Sequence, residues 1–416
     1  MAQMCTIVHI SGRRLLERAG ALAAHSELPG GLTRTSLSKE YRGAAALVMG
    51  WMREAGMDAR LDAIGNVIGR YEGARPGAPC LVLGSHLDTV RNAGKYDGML
   101  GVLSGIECAH ALHAAGRRLP FALEVAGFCD EEGVRFGVTL LGSRAMAGTF
   151  DPAALEAKDA AGVTLAQALR DFGLDPARIG EAVKRREDVL AYAELHIEQG
   201  PVLEAEGLAV GVVTAINGFT RMAVTIEGTA GHAGTVPMRL RRDALAAAAE
   251  CVLAVERIGA SEPGIVATVG RMELLPGAIN VVPGEARFTV DVRAPDDAQR
   301  LRAAAAIRAE IAAICARRNV NARIEDLQQQ GAAACAPWLV EQMAAALRAE
   351  GLRDFRLPSG AGHDGQAMQA IAGIGMLFVR CEKGVSHNPA EAITAADAEA
   401  GARVLLRFVE GFAPKG

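Results

Sequence analysis

The stretch VAGFCDEEGVRFG, residues 125–137, is apolar until it meets three acids in a row, Asp130, Glu131 and Glu132. A short apolar run of this kind predicts a buried strand. Adjacent carboxylates repel one another and resist burial, so at a strand end they must lie in solvent or meet positive charge. Three other stretches share the design: CLVLGSHLDTV (80–90), LAYAELHIEQG (190–200) and GMLFVRCEKGVSH (375–387). Each runs from a short apolar segment into polar residues, with helical patterns such as 98–115 and 339–350 between or beside them. Strands alternating with helices predict an α/β fold, a mostly parallel sheet sandwiched by helices.

The texture changes after TAIN (214–217). TRMAVTIEG (220–228) alternates like a half-exposed strand, and an alanine-rich helix follows over 241–258. GIVATVGRMEL and NVVPGEARFTVDVRAP predict two further strands, and residues 297–317 another helix. That order predicts a smaller α+β unit, an antiparallel sheet with two helices, inserted into the larger domain. The expected division is 1–216 and 332–416 for the large domain, with 217–331 as the insert. Residues 8–26 and 39–56 predict two N-terminal helices.

Composition narrows the function. Across 416 residues the net charge is −4 with acids and bases interspersed, and aromatic residues make up 4%. This leaves no footprint for nucleic acid or an anionic membrane. The eight cysteines (Cys5, Cys80, Cys108, Cys129, Cys251, Cys315, Cys335 and Cys381) form no C-x-x-C pair and sit mostly among apolar neighbours. They read as core residues of a protein from a reducing compartment. Arginines interrupt the N-terminal stretch, which reads as an amphipathic helix and not a signal peptide. A soluble cytoplasmic protein is expected.

Ligands of open α/β sheets collect beyond the carboxyl ends of the strands. There the first stretch delivers His86 and Asp88, with Asp97 shortly after, and the second delivers Glu131 and Glu132. The third gives His196 with Glu198 nearby, and the last gives His387. A pair of divalent ions needs imidazole or carboxylate ligands on each ion and a carboxylate between them. His86, Asp97, Glu132, His196 and His387 supply that set. Asp88 is spaced to hydrogen-bond the His86 ring and orient it. Glu131 stands beside a ligand but points elsewhere, free to take a proton from an attacking water.

GSHLDTV…YDGMLGVL, DEEGVRFGVTLLGSRAMAG, ELHIEQGPVLE, GHAGTVPM, SGAGHDG and GVSHNPAE resemble, in order and over nearly the whole chain, one family. It is the amidase branch of the aminoacylase-like metallopeptidase clan, which includes allantoate amidohydrolases and N-carbamoyl-L-amino-acid hydrolases. The resemblance implies the same five ligands for two ions of zinc, manganese or cobalt, with Asp97 bridging and Glu131 as general base. It also implies a homodimer in which His232 reaches over the partner's site to polarise the scissile carbonyl. Asn280 and Arg293 look like the groups that grip a substrate carboxylate, a task that suits the planar guanidinium fork. Arg221 and the backbone around Gly362 are further candidates for that pocket, and Gln199 for contact with the ureido group. His363 reads as structural, and His9, His25, His110 and His113 match nothing. GHAG and GHDG depart slightly from the family's usual wording, which touches substrate choice and no ligand.

The expected activity is hydrolysis of a linear ureido C–N bond, with allantoate the first choice of substrate and N-carbamoyl-L-amino acids the next. An aminoacylase or dipeptidase of the same clan would share every ligand. A metal-stabilised binding protein without turnover is the reading from another class.

Overall fold

The computed structural model describes residues 10–415. Cys5, His9 and the start of the 8–26 helical reading lie outside them. Two compact units emerge, the larger from residues up to Thr214, Cys335–Leu357 and His363 onward, the smaller from Ala215–Ala334 with Pro358–Gly362.

The larger unit is built on strands β1 (Asp58–Leu61), β2 (Val67–Tyr71), β3 (Cys80–His86), β4 (Ala122–Phe128), β5 (Val189–Ile197), β6 (Val210–Ile216) and β7 (Ile374–Val379), in the order β1-β2-β4-β3-β5-β7-β6. The central neighbours β4-β3-β5-β7 are parallel, and the outer pairings are antiparallel. β3, β4 and β7 are buried along their whole length, as strands covered on both faces must be. Helix Met99–Ala114 packs on β3, β4 and β5, Lys39–Glu54 on β1 and β2, and Pro337–Ala349 on β7. Ser38 and Thr394 cap the helices Lys39–Glu54 and Ala395–Gly411 by accepting from Tyr41 and Asp397 main-chain N–H groups. The register sets His86 beside Phe128 and His196 beside Phe378. Four strand ends therefore reach one edge together.

The smaller unit holds a four-stranded antiparallel sheet, ordered Asn321–Gln330, Gly218–Glu227, Glu285–Ala294, Val266–Leu275. Met222, Val224, Ile226, Phe288, Val290 and Val292 pack against helices Ala244–Gly259 and Asp297–Arg318. Three details differ from the sequence reading. Asn321–Gln330 is an added strand; it lies at the sheet edge with nearly every residue exposed, so it carries no apolar alternation. NVVPGEARF is broken at Pro283–Gly284 into a two-residue ribbon strand and a ten-residue strand. The first helix begins at Ala244 because Asp243 caps it, accepting from Ala246 N–H. Among the described residues no helix is long and apolar enough to cross a membrane, and the seven described cysteines are free and buried.

Candidate active site

Asp97 stands at the centre of the strand-end cluster, 3% exposed. Its Oδ1 lies 3.1 Å from His196 Nε2 and 3.5 Å from His86 Nε2. Its Oδ2 lies 3.1 Å from His387 Nε2, and that nitrogen is 3.6 Å from Glu132 Oε1. One carboxylate thus faces two imidazoles with one oxygen and a third imidazole with the other. Gly98 allows the approach: at φ 73° it takes a conformation open to glycine, and a Cβ there would stand 2.5 Å from the His86 ring. Its N–H points at His196 Nε2 at 3.2 Å.

These residues fit divalent ions. His86 turns Nδ1 to the Asp88 carbonyl at 3.0 Å, and His196 turns Nδ1 to the Ile197 carbonyl at 2.9 Å. A ring that donates from Nδ1 keeps a lone pair at Nε2, the arrangement of a metal ligand. Those lone pairs face carboxylate oxygens, a repulsive meeting unless positive charge stands between them. Burial pulls both imidazoles toward the neutral form, yet Asp97 and its neighbouring acids outweigh it and hold both above their ordinary range. Burial likewise pushes Asp97 up, and His196, His387 and His86 together hold it well below the usual carboxylate range. The cluster calls for cations, and divalent ions supply the charge without protons.

The three adjacent acids part company. Asp130, at φ 58°, turns into the interior and is 1% exposed, where burial and then Asp88 push its carboxyl well up. Glu132 faces His387; burial and then Asp97 push it to about 7. Glu131 is 9% exposed and offers an oxygen within a 4.8 Å group that includes His86 and Glu132. Burial, aided by Glu132 and opposed by His86, raises its carboxyl well above the usual range. Asp88 differs from the expected orienter. Its main-chain carbonyl meets the His86 ring, while its carboxylate stands 3.7 Å from Nδ1 and accepts the main-chain N–H groups of Glu131 and Glu132 at 3.0 and 3.1 Å. The side chain therefore fixes the acid loop instead of the imidazole.

Gln199 faces the ligands, donating from Nε2 to Asp97 Oδ2 at 3.0 Å and to Ser386 Oγ at 3.1 Å. Glu198 lies outside the cluster and caps the short helix Val202–Ala205 through Val202 and Leu203 N–H. The sequence reading missed Glu194, which is 1% exposed on β5 and accepts from Tyr192 Oη at 2.9 Å and Ser85 Oγ at 3.2 Å. Its signal was an acid inside an apolar strand, two residues before His196 and so on the same face. His363 packs its ring 4.5 Å from that of His196.

In the smaller unit, His232 is exposed on a ribbon where Gly231–His232 pairs with Val281–Val282. Gly234 N–H donates to its Nδ1 at 3.0 Å, and the Asn280 carbonyl accepts from Ala233 N–H at 2.9 Å. His232 and Asn280 are thus neighbours. Arg293 is not with them. The ribbon joins the sheet near Glu285, where Gly228 N–H meets the Gly284 carbonyl at 2.7 Å. From Glu285 to Arg293 an extended strand covers roughly 25 Å. At that far end Asp291 accepts from Arg293 Nε and Nη2 at 3.0 and 2.9 Å and from Arg221 Nε at 3.0 Å. Arg293 Nη1 donates to the Gly360 carbonyl at 2.8 Å, with Gly362 exposed nearby. Phe219 lies under Arg221, 4.4 Å from its guanidinium carbon. Both arginines line a cavity of about 630 Å³ with Asp291, Thr268 and Leu327.

The profile of peptidase family M20/M25/M40 matches residues 82–411, a span that contains every residue of the metal-type cluster. The chain belongs to this family. Over 96% of its length it is 45% identical to an N-carbamoyl-L-amino acid amidohydrolase of Geobacillus stearothermophilus, covering 98% of that protein. Over 94% it is 40% identical to a probable allantoate deiminase of Oryza sativa subsp. japonica, covering 87% of it. A crystal structure of an amidase of the hydantoinase/carbamoylase family from Burkholderia multivorans superposes with a TM-score of 0.91, at 36% identity over 96% of this chain and 97% of that one. The larger unit thus gathers His86, Asp97, Glu132, His196 and His387 at one edge of its sheet.

Proposed function

We propose that the chain hydrolyses the linear C–N bond of a ureido compound that carries a carboxylate, either an N-carbamoyl-L-amino acid or allantoate. The observation that carries this is the split of Asp97 between two imidazoles on one oxygen and His387 on the other. It supports two divalent ions, one held by His86, His196 and Asp97, the other by Asp97, Glu132 and His387. When bound, such ions polarise a carbonyl and lower the pKa of water. Glu131, nearly buried beside them, takes the proton of the attacking water and returns it to the leaving nitrogen. The relatives named for carbamoyl amino acids and allantoate support the ureido group as the bond cleaved.

The smaller unit supplies the rest. Because His232 Nδ1 accepts from Gly234, its neutral ring carries the proton on Nε2 and can donate to a carbonyl oxygen as charge develops there. Arg293 and Asn280 hold the carboxylate. A ureido acid is far shorter than the roughly 25 Å strand between these groups. One copy of the small unit cannot bring both to one substrate, which supports a two-fold dimer with His232 and Asn280 given to the partner's site.

Product release across a panel tests the activity, read as ammonia for the ureido compounds and as newly freed amino acid for dipeptides and N-acetyl amino acids. N-carbamoyl-L-amino acids, allantoate or ureidoglycolate should react, and dipeptides and N-acetyl amino acids should not; the reverse would move the chain to a peptidase or acylase reading. Subunit exchange tests the shared site. His232→Ala and Glu131→Gln chains, each inactive, are mixed one to one with exchange confirmed by mass-tagged subunits. Activity should return to roughly a quarter of wild type if the histidine acts in trans. Continued silence after proven exchange would place His232 over its own subunit's metals.

A further inference from the structure

Glu391 closes the GVSHNPAE motif, and the chemistry above leaves it without a role. It is 4% exposed. Its Oε1 accepts the main-chain N–H groups of Tyr96 at 2.9 Å and Asp97 at 3.1 Å. Its Oε2 accepts from the Ser386 hydroxyl at 3.0 Å, and Ser386 immediately precedes His387. Ser386 Oγ in turn accepts from Gln199 Nε2, the nitrogen that also donates to Asp97 Oδ2. Gly94 makes room for this tie, because a Cβ there would stand 2.3 Å from the Glu391 side chain. Burying a carboxylate is costly unless donors meet it. All three donors here belong to two loops, one carrying Asp97 and the other His387, which lie nearly 300 residues apart in the chain.

We propose that Glu391 is a positioning residue that locks the Asp97 loop to the His387 loop and so sets the spacing of the second ion's ligands. It touches no reacting atom. The inference rests on the two-ion reading above. His86 and His196 do not depend on this tie, since sheet register places them. Losing Glu391 therefore loosens the second ion's site most, because two of its three ligands, Asp97 and His387, ride on the tied loops, whereas only Asp97 of the first ion's three does.

Calorimetric titration of metal-free protein with Zn²⁺, with bound ions counted by native mass spectrometry, tests this. Wild type should take up two ions. Glu391→Ala should keep the first and bind the second roughly 10–100-fold more weakly, the range for losing a group that orients a ligand. Glu391→Gln should restore the second ion to within a few-fold of wild type, because its Oε1 accepts the same two N–H groups and its amide donates to Ser386. Should Glu391→Ala fail to fold, Ser386→Ala removes the hydroxyl tie alone. The second ion should then weaken several-fold while the melting temperature holds. Wild-type affinity for both ions in Glu391→Ala, equal weakening of both, or an unaffected second ion in Ser386→Ala overturns the proposal. Wild type that saturates with fewer than two ions overturns the two-ion reading itself.

Discussion

The two halves of the metal-type cluster are built differently. His86 ends β3 and His196 is the next-to-last residue of β5; they are 2% and 1% exposed. Glu132 and His387 sit on loops, and the His387 side chain is 51% exposed. Ladder pairing with a neighbouring strand aims a strand-end residue, His86 through β4 and His196 through β7. A loop residue needs separate ties, and here they are polar side chains, Asp88 and Glu391 buried and Gln199 and Ser386 partly so. Asp88 holds the main chain of Glu131 and Glu132, while Glu391, Ser386 and Gln199 hold Asp97 and the His387 loop. Asp130, Gln199 and His387 also take positive φ, at 58°, 57° and 53°. Each such residue costs about 1–2 kcal/mol, which the ties must offset. Precision is inherited from the sheet in one half and assembled from remote contacts in the other.

The contrast is sharpest between neighbours on one loop. Glu131→Gln should lower kcat by about 10²-fold or more, as expected on losing a general base, with ion content unchanged. Glu132→Gln should instead lose an ion. Steady-state rates and metal analysis check this, and matching behaviour in the two variants would dissolve the division of labour.

Arg293 asks whether a strand position suffices without the right side chain. Its fork is held by Asp291, so Arg293→Lys keeps the charge and the strand but loses the paired contacts. Binding of a carboxylate-bearing ureido substrate should weaken by roughly 1.5–3 kcal/mol. Unchanged binding by calorimetry with the Glu131→Gln background would remove Arg293 from the substrate grip.

The smallest effect concerns stability without metal. In the metal-free protein His196→Ala should cost roughly 1–2 kcal/mol, since it opens a buried space beside His363 and strips a partner from Asp97. His387→Ala, half exposed, should shift stability by no more than about 0.5 kcal/mol. Urea denaturation of both apo variants decides it, and equal losses would mean the loop half is as integral to the fold as the strand half.

Much of the cluster was legible because its signal is local. An apolar run that breaks into His, Asp or Glu shows both the strand and the end at which chemistry sits. The imidazoles at the ends of β3 and β5 needed nothing more. Asp88 shows the limit: its i+2 spacing from His86 suggested a side-chain contact, and the carboxylate instead found main-chain donors more than 40 residues away. Asp291 was hidden between two arginines already assigned to substrate. The edge strand Asn321–Gln330 went unseen because a strand exposed along its length needs no apolar face.

From the sequence alone came most of the elements, the strand ends at which the metal-type residues gather, and the residue types able to hold cations, since each follows from nearest-neighbour chemistry and short periodicity. Tertiary structure alone decided which polar group serves which. A buried carboxylate is satisfied by whatever donors folding brings to it. For Glu391 two of those donors, the N–H groups of Tyr96 and Asp97, lie nearly 300 residues away, at a separation no period in the chain records.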